Sequence, residues 1–182
     1  MKKLLEERRI FIFVEHLFDE MEVFYPRYRL IEEGARVSIV GPKAKEIYAG
    51  KHGYPCRVDR AFEEVRVDEC DLLIIPGGYA PDKIRRYPLA IEFVRDMHRQ
   101  GKWVAFICHG GWVAASAGVL KGVRCTSFFS IQDDMVNAGA HWVDQPVVVD
   151  QHVISSRTPD DLPHFCRAMM EALASVQHPI LN

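Results

Sequence analysis

The amino-acid sequence predicts an α/β fold: a sandwich with a mainly parallel central sheet and helices on both faces. Two observations carry that prediction. Short apolar runs recur at residues 8–14 ("RRIFIFV"), 36–41 ("RVSIVG"), 71–78 ("DLLIIPGG") and 102–108 ("KWVAFIC"), each followed by polar or glycine-rich residues. Runs of that length and character suit parallel strands buried on both faces. Stretches with helix signals separate them, and such alternation is the mark of a layered α/β domain.

The elements follow in order. After the first run, residues 19–33 open with acids that complement a helix N-terminus and stop before Gly34. A second helix, residues 89–100, follows Pro88 and stops at Gly101, the expected asymmetry of a starting proline and a closing glycine. A third begins at residues 111–117, directly behind the run that ends in Cys108. Residues 147–157 ("VVVDQHVISSR") read as two short strands around Asp150 and Gln151, and residues 159–176 as a closing helix with acids at its start. No repeat, linker or low-complexity tract interrupts the pattern. The expectation is one domain over residues 1–182, its core at about 8–176.

Composition excludes several classes of function. Of 182 residues, 48% are hydrophobic, enough for a substantial core. Lys and Arg total 23 against 25 Asp and Glu, a net charge of -2 with no block of either sign, so neither nucleic acid nor an anionic membrane is expected as a partner. Charged residues interrupt the opening "MKKLLEERRIFIF", and no segment approaches the roughly eighteen apolar residues of a membrane span. A soluble, cytoplasmic protein is expected. Five cysteines, odd in number and irregularly spaced, fit reduced thiols better than a disulfide framework. No ligand spacing suggests zinc, and no cofactor is expected.

The stretch "FICHGGW" (residues 106–112) carries the chemistry. A cysteine closing an apolar run is ordinarily one more core residue. Here a His-Gly-Gly sequence follows it, between a buried strand and a helix, at the carboxyl edge of the sheet where open α/β sheets bind ligands. That is the arrangement of a nucleophile elbow: a sharp turn lifts the reactive atom clear of the backbone, and adjacent glycines admit a substrate. The helix N-terminus behind Cys108 favours thiolate over thiol and offers amides to an oxyanion. Gly77 and Gly78 end a neighbouring strand at the same edge, where their amides, with that of Gly110, are candidates for the same task.

The sequence "AFICHGGWVAASAGVLKG" resembles the signature of the PfpI/ThiJ superfamily. The blocks "DEMEVFYPRYRLIEEGARVSIVG", "GKHGYPCRVD", "LLIIPGGYAPDKIRR", "SIQDDMVNAGAHWVDQPVVVD" and "VISSRTPDDLPHF" resemble PfpI-type blocks in the same order, so the likeness spans most of residues 8–173. It implies a flavodoxin-like sandwich with Cys108 as a reactive nucleophile and His109 beside it. The block "DEMEVFYP" implies that Glu22 lies next to the sulfur and donates a hydrogen bond when protonated; without the resemblance, Glu22 is an acid in a first helical turn, and Asp19 a helix cap. The block "GGYAPDKIRR" implies that Asp82 completes the set from a neighbouring subunit, hence a homo-oligomer, a dimer or a trimer of dimers, with its site near the interface. Two departures stand out. Asp82 replaces a longer glutamate, and Phe128 stands where PfpI-like sequences often carry a tyrosine.

The resemblance implies an enzyme that uses Cys108 on small electrophilic carbonyls, of deglycase or glyoxalase type, with weak peptidase activity. An aldehyde is more electrophilic than an amide and expels no poor leaving group, so peptides are the harder substrates. The alternative, implied by the DJ-one branch, is a stress or redox protein whose thiolate is oxidised to sulfinate without turnover. A glutaminase reading, suggested by "QHPILN" at the C-terminus, lacks the glutamate after His-Pro. His52 and His141 have no partner at metal-binding spacing and read as surface or structural residues.

Overall fold

The computed structural model describes residues 3–175. Strand β1 (Arg9–Phe13) leads through helix α1 (Glu20–Glu32) to β2 (Arg36–Gly41), then to a hairpin of β3 (Ile47–Ala49) and β4 (Pro55–Arg57), and to β5 (Arg60–Ala61). There follow β6 (Leu72–Ile75), α2 (Ala80–Ile84), α3 (Pro88–Arg99), β7 (Trp103–Ile107) and α4 (Gly111–Ala117). The remaining elements are β8 (Arg124–Cys125), α5 (Gln132–Asn137), β9 (His141–Trp142), β10 (Val147–Asp150), β11 (Val153–Ser156) and α6 (Leu162–Ser175).

Seven strands form the main sheet in the order β10-β11-β7-β6-β1-β2-β5, and every neighbouring pair is parallel except β10 with β11. The four apolar runs supply β1, β2, β6 and β7. Register sets a row of small and branched residues across the sheet, Ile39, Ile12, Ile74, Ala105 and Ile154, all fully buried. Burying each isoleucine contributes about 2 kcal/mol, which holds the central strands as one body. The two strands expected around Asp150 and Gln151 are an antiparallel hairpin at the sheet edge, and Gln151 and His152 both have positive φ (48° and 64°), as a two-residue type I′ turn requires.

The helix signals fall within one residue of the bounds of α1 and α3, and the closing helix starts three residues later than expected. Asp19, extended at φ -76°, ψ 119°, caps α1 by accepting from the amides of Met21 (3.0 Å) and Glu22 (3.4 Å). Gly34 and Gly101, just past the ends of α1 and α3, have φ of 96° and 66°. The closing helix begins at Leu162 after a 3-10 turn over Pro159–Asp161, and the "QHPILN" segment lies outside the described residues. The periodicity did not foresee β3, β4, β5, β8, β9, α2 or α5. They have two to six residues each, too few for a repeat of either kind to register. None of the helices among the described residues is long and apolar enough to cross a membrane.

The connections create the site. From β1 the chain crosses to β2 on one side, whereas from β6 it crosses to β7 on the other, so the strand order reverses between β1 and β6. A crevice opens outside the carboxyl ends of strands at such a point. The two loops that flank it are joined: Phe18 bridges to Gly78, the Asp19 amide donates to the Gly77 carbonyl (3.3 Å), and the Tyr79 amide to the Leu17 carbonyl (2.9 Å).

Candidate active site

Cys108 stands at the end of β7 with φ 59°, in the left-handed region that a non-glycine residue occupies at a cost of about 1–3 kcal/mol. The surroundings hold it there. Gly110 packs against the Ile75 carbonyl so closely that a Cβ would overlap it, and a Cβ on Gly111 would fall 2.7 Å from Met135 Sδ. The Cys108 carbonyl accepts the Phe128 amide at 3.2 Å. Cys108 is 8% exposed, whereas Cys56, Cys70, Cys125 and Cys166 are at most 2% exposed, so it is the most accessible of the five thiols.

Glu22 is fully buried on the first turn of α1. Its Oε2 accepts the Gly77 amide at 2.6 Å, while its Oε1 has no hydrogen-bond partner. Burial pushes its carboxyl up to about 8, and the negative charge of Asp19 adds to the rise; the Gly77 amide, Lys51 and the Cys108 thiol pull the other way. At neutral pH Glu22 therefore holds its proton. A Cβ on Gly77 would lie 2.6 Å from both Glu22 Oε2 and Cys108 Cβ and 3.0 Å from Cys108 Sγ. Only glycine leaves room for carboxyl and sulfur to converge there.

The Cys108 thiol is itself pushed up to about 12, by burial first and by the charge of Glu22 second. The amides of His109 and Gly78 oppose that rise by favouring the thiolate. The thiolate expected from the helix terminus is thus not favoured overall, because burial is the larger effect here. Glu22 raises the thiol only while it is ionised, and a carboxyl that keeps its proton instead offers a hydrogen bond to the sulfur.

His109 is half-buried, with Nδ1 3.2 Å from Cys108 Sγ and Nε2 3.2 Å from Ser130 Oγ. Burial, and then the positive charge of Lys51, lower its pKa, so the imidazole is neutral at neutral pH. Its ring stacks on Phe128 (centroids 5.1 Å, 29° between planes) and meets Trp112 edge-on (5.0 Å, 69°). With phenylalanine at position 128, the polar partner of the imidazole is Ser130, which the sequence reading did not single out.

The glycines differ in what they do. Gly77 has its amide committed to Glu22, so the amides turned to the sulfur are those of Gly78 and His109. Gly78 has φ 71° and lies against the Leu17 backbone, and Gly110 is a close-packing position. Asp82, on α2, is half-exposed and pairs with Arg86 one turn on, so within this chain it is bound to Arg86 and not to His109. Lys51 is the other residue the sequence reading passed over. It stands next to His52 in "GKHGYP", and its Nζ lies 2.6 Å from Asp19 Oδ2.

Fold and site together define an α/β protein with a cysteine elbow at a topological switch point. Residues 8–172 match the model of the DJ-1/PfpI family, and the chain belongs to that family. It is 47% identical over 165 residues to a deglycase of Pyrococcus abyssi, a span of 91% of this chain and 99% of that protein. It is likewise 47% identical over 156 residues to the deglycase PfpI of Pyrococcus furiosus, covering 86% and 93%. A crystal structure of a two-domain protein from Anabaena variabilis, with DJ-1/ThiJ/PfpI-like and ferritin-like domains, superimposes with a TM-score of 0.90 at 36% identity. That match covers 97% of this chain, which spans about half (52%) of the two-domain protein.

Proposed function

We propose that the protein is a cysteine-dependent enzyme of deglycase or glyoxalase type, acting on small electrophilic carbonyl compounds, with peptides as poorer substrates. The observation that carries this reading is the meeting of Cys108, His109 and Glu22 at the end of β7, with Nδ1 3.2 Å from Sγ and the Glu22 carboxyl converging with the sulfur at Gly77. The deglycase names of relatives at 47% identity support it.

In this reading the sulfur bonds to the carbonyl carbon while the π pair moves to oxygen, and the thiol proton passes to His109 Nδ1. That step needs the tautomer with hydrogen on Nε2, which then donates to Ser130 Oγ. The Glu22 carboxyl keeps its proton and donates it in a hydrogen bond to the thiolate, the two groups converging at Gly77. The Gly78 and His109 amides lie at the sulfur and offer the nearest donors for the developing oxyanion, with Gly110 as their packing support. Asp82 acts across an interface with a second copy, and the working unit is a single-domain, cytoplasmic homo-oligomer.

The test compares purified protein with Cys108→Ala on methylglyoxal, on a glycated amine and on a fluorogenic peptide, at equal concentrations. Saturable, Cys108-dependent turnover of the carbonyl substrates, faster than of the peptide, is expected. A faster Cys108-dependent peptidase rate would replace this reading with a protease. Sulfinate formation at Cys108 without turnover of any substrate would replace it with a redox protein.

A further inference from the structure

We propose that Lys51 is a positioning residue for the Cys108 and Glu22 pair, neutralising the buried Asp19 carboxylate so that negative charge can settle on that pair. The proposal rests on the reading of Cys108 as the reacting sulfur. Its basis is a chain of contacts running from the hairpin loop to the elbow.

Asp19 is 4% exposed, and both its oxygens are used. Oδ1 caps α1 through the Met21 and Glu22 amides, and Oδ2 holds Lys51 Nζ at 2.6 Å. Without the lysine, a buried carboxylate would stand uncompensated at the head of the turn that carries Glu22, and such a charge is expensive. The backbone delivers Lys51 from both sides. Its own amide donates to the Phe18 carbonyl (2.9 Å), the Leu17 amide donates to the Ala49 carbonyl (2.7 Å), and the His52 amide donates to Glu20 Oε1 (2.7 Å). A Cβ on Gly50 would run into the Glu20 carboxylate that His52 holds, so a larger residue there would have to displace that side chain.

The charged groups around the ammonium are then accounted for. From α1 and its cap they are Glu22 and Asp19, the latter in direct contact; from the turn after β7 they are Cys108 and His109. Glu20, also on α1, is engaged by His52 through its amide and by Nδ1 at 3.1 Å. Asp19, Glu22 and Cys108 each hold the lysine in its charged form, and the lysine in turn favours the Glu22 anion and the neutral His109. The couplings to Asp19, Glu22 and Cys108 stabilise negative charge at the elbow, while the effect on His109 keeps the imidazole free to accept a proton. A third of the Lys51 side chain is exposed, so the cation sits at the edge of the crevice and not in the core.

The experiment is the pH profile of Cys108 alkylation by iodoacetamide, an uncharged reagent, read by peptide mass spectrometry. Four proteins are compared: wild type, Lys51→Met, Lys51→Arg, and Lys51→Met combined with Asp19→Asn, which keeps a competent helix cap. Asp19 raises the ionisation of both Glu22 and Cys108, and losing Lys51 leaves that charge unbalanced, so a shift of about one pH unit is expected at the sulfur. Lys51→Met should therefore alkylate about tenfold more slowly at pH 7, with its profile displaced upward by about one pH unit. Lys51→Arg should stay within about threefold of wild type, and the double variant should recover most of the rate because both charges are gone. A Lys51→Met profile that overlays wild type overturns the proposal. If Lys51→Met does not fold, the double variant decides: alkylation tenfold slower than wild type, in a protein of native circular dichroism, overturns it equally. The wild-type trace reports separately on the nucleophile, since labelling at another cysteine would overturn the Cys108 reading itself.

Discussion

Replacing Glu22 by glutamine should shift stability in the variant's favour, relative to wild type, increasingly as the pH rises. The carboxyl is fully buried and held near 8 by burial and by Asp19, against an ordinary value of 4.5. Its proton favours the folded state, so the contribution of protonated Glu22 is complete below about pH 4.5 and is lost as the pH climbs through about 8. Each pH unit inside that window costs the fold about 1.4 kcal/mol, because the unfolded chain has released a proton that the folded chain retains. Glutamine keeps a carbonyl oxygen for the Gly77 amide and has nothing to ionise. Relative to their difference at pH 4, Glu22→Gln should gain about 3 kcal/mol on wild type by pH 7 and nearly 5 by pH 8.5, where the difference levels off. Urea unfolding of both proteins at pH 4, 5, 6, 7, 8 and 8.5 measures this, and contributions from titrating groups that are not coupled to Glu22 cancel in the subtraction. A difference that stays constant across the range would show that Glu22 titrates in the folded protein as it does in the unfolded chain, and the electrostatic account of the site would fail with it.

Two further outcomes are expected. Gly77→Ala places a methyl group 2.6 Å from Cys108 Cβ and Glu22 Oε2, so thermal unfolding should report a loss of about 1–3 kcal/mol and Cys108 alkylation should change; wild-type stability and alkylation would show that the convergence at Gly77 has slack. For Asp82, mixing Asp82→Ala subunits with Cys108→Ala subunits under exchange should restore part of the activity that neither has alone, and no recovery despite proven exchange would confine Asp82 to its ion pair with Arg86.

Much of the candidate site was legible because its residues are adjacent in sequence or announced by local chemistry. Cys108, His109 and Gly110 are consecutive, and a thiol between an apolar run and a pair of glycines marks a turn wherever the strand lies in the sheet. Glu22 was legible only through its resemblance to a family motif, since its local pattern is that of any acid in a first helical turn. Lys51 and Ser130 carried no such signal. Each acts through one atom on a partner more than twenty residues away, Lys51 on Asp19 and Ser130 on His109, and nothing in hydrophobic periodicity records a contact of that kind.

The sequence alone determined the layered α/β architecture, the four central strands, the caps of α1 and α3, and the placing of a cysteine at a strand-to-helix turn. These depend on burial patterns and backbone preferences that act over a few residues, so they can be read locally. Only the tertiary structure decided which strands are neighbours, and hence that the strand order reverses between β1 and β6. It also decided that Gly77 spends its amide on Glu22, and that burial outweighs the helix terminus in setting the ionisation of Cys108. Desolvation and charge coupling are sums over everything near a group in space, and residues 19, 22, 51, 77, 108, 109 and 130 become neighbours only when the sheet has brought the ends of its strands together.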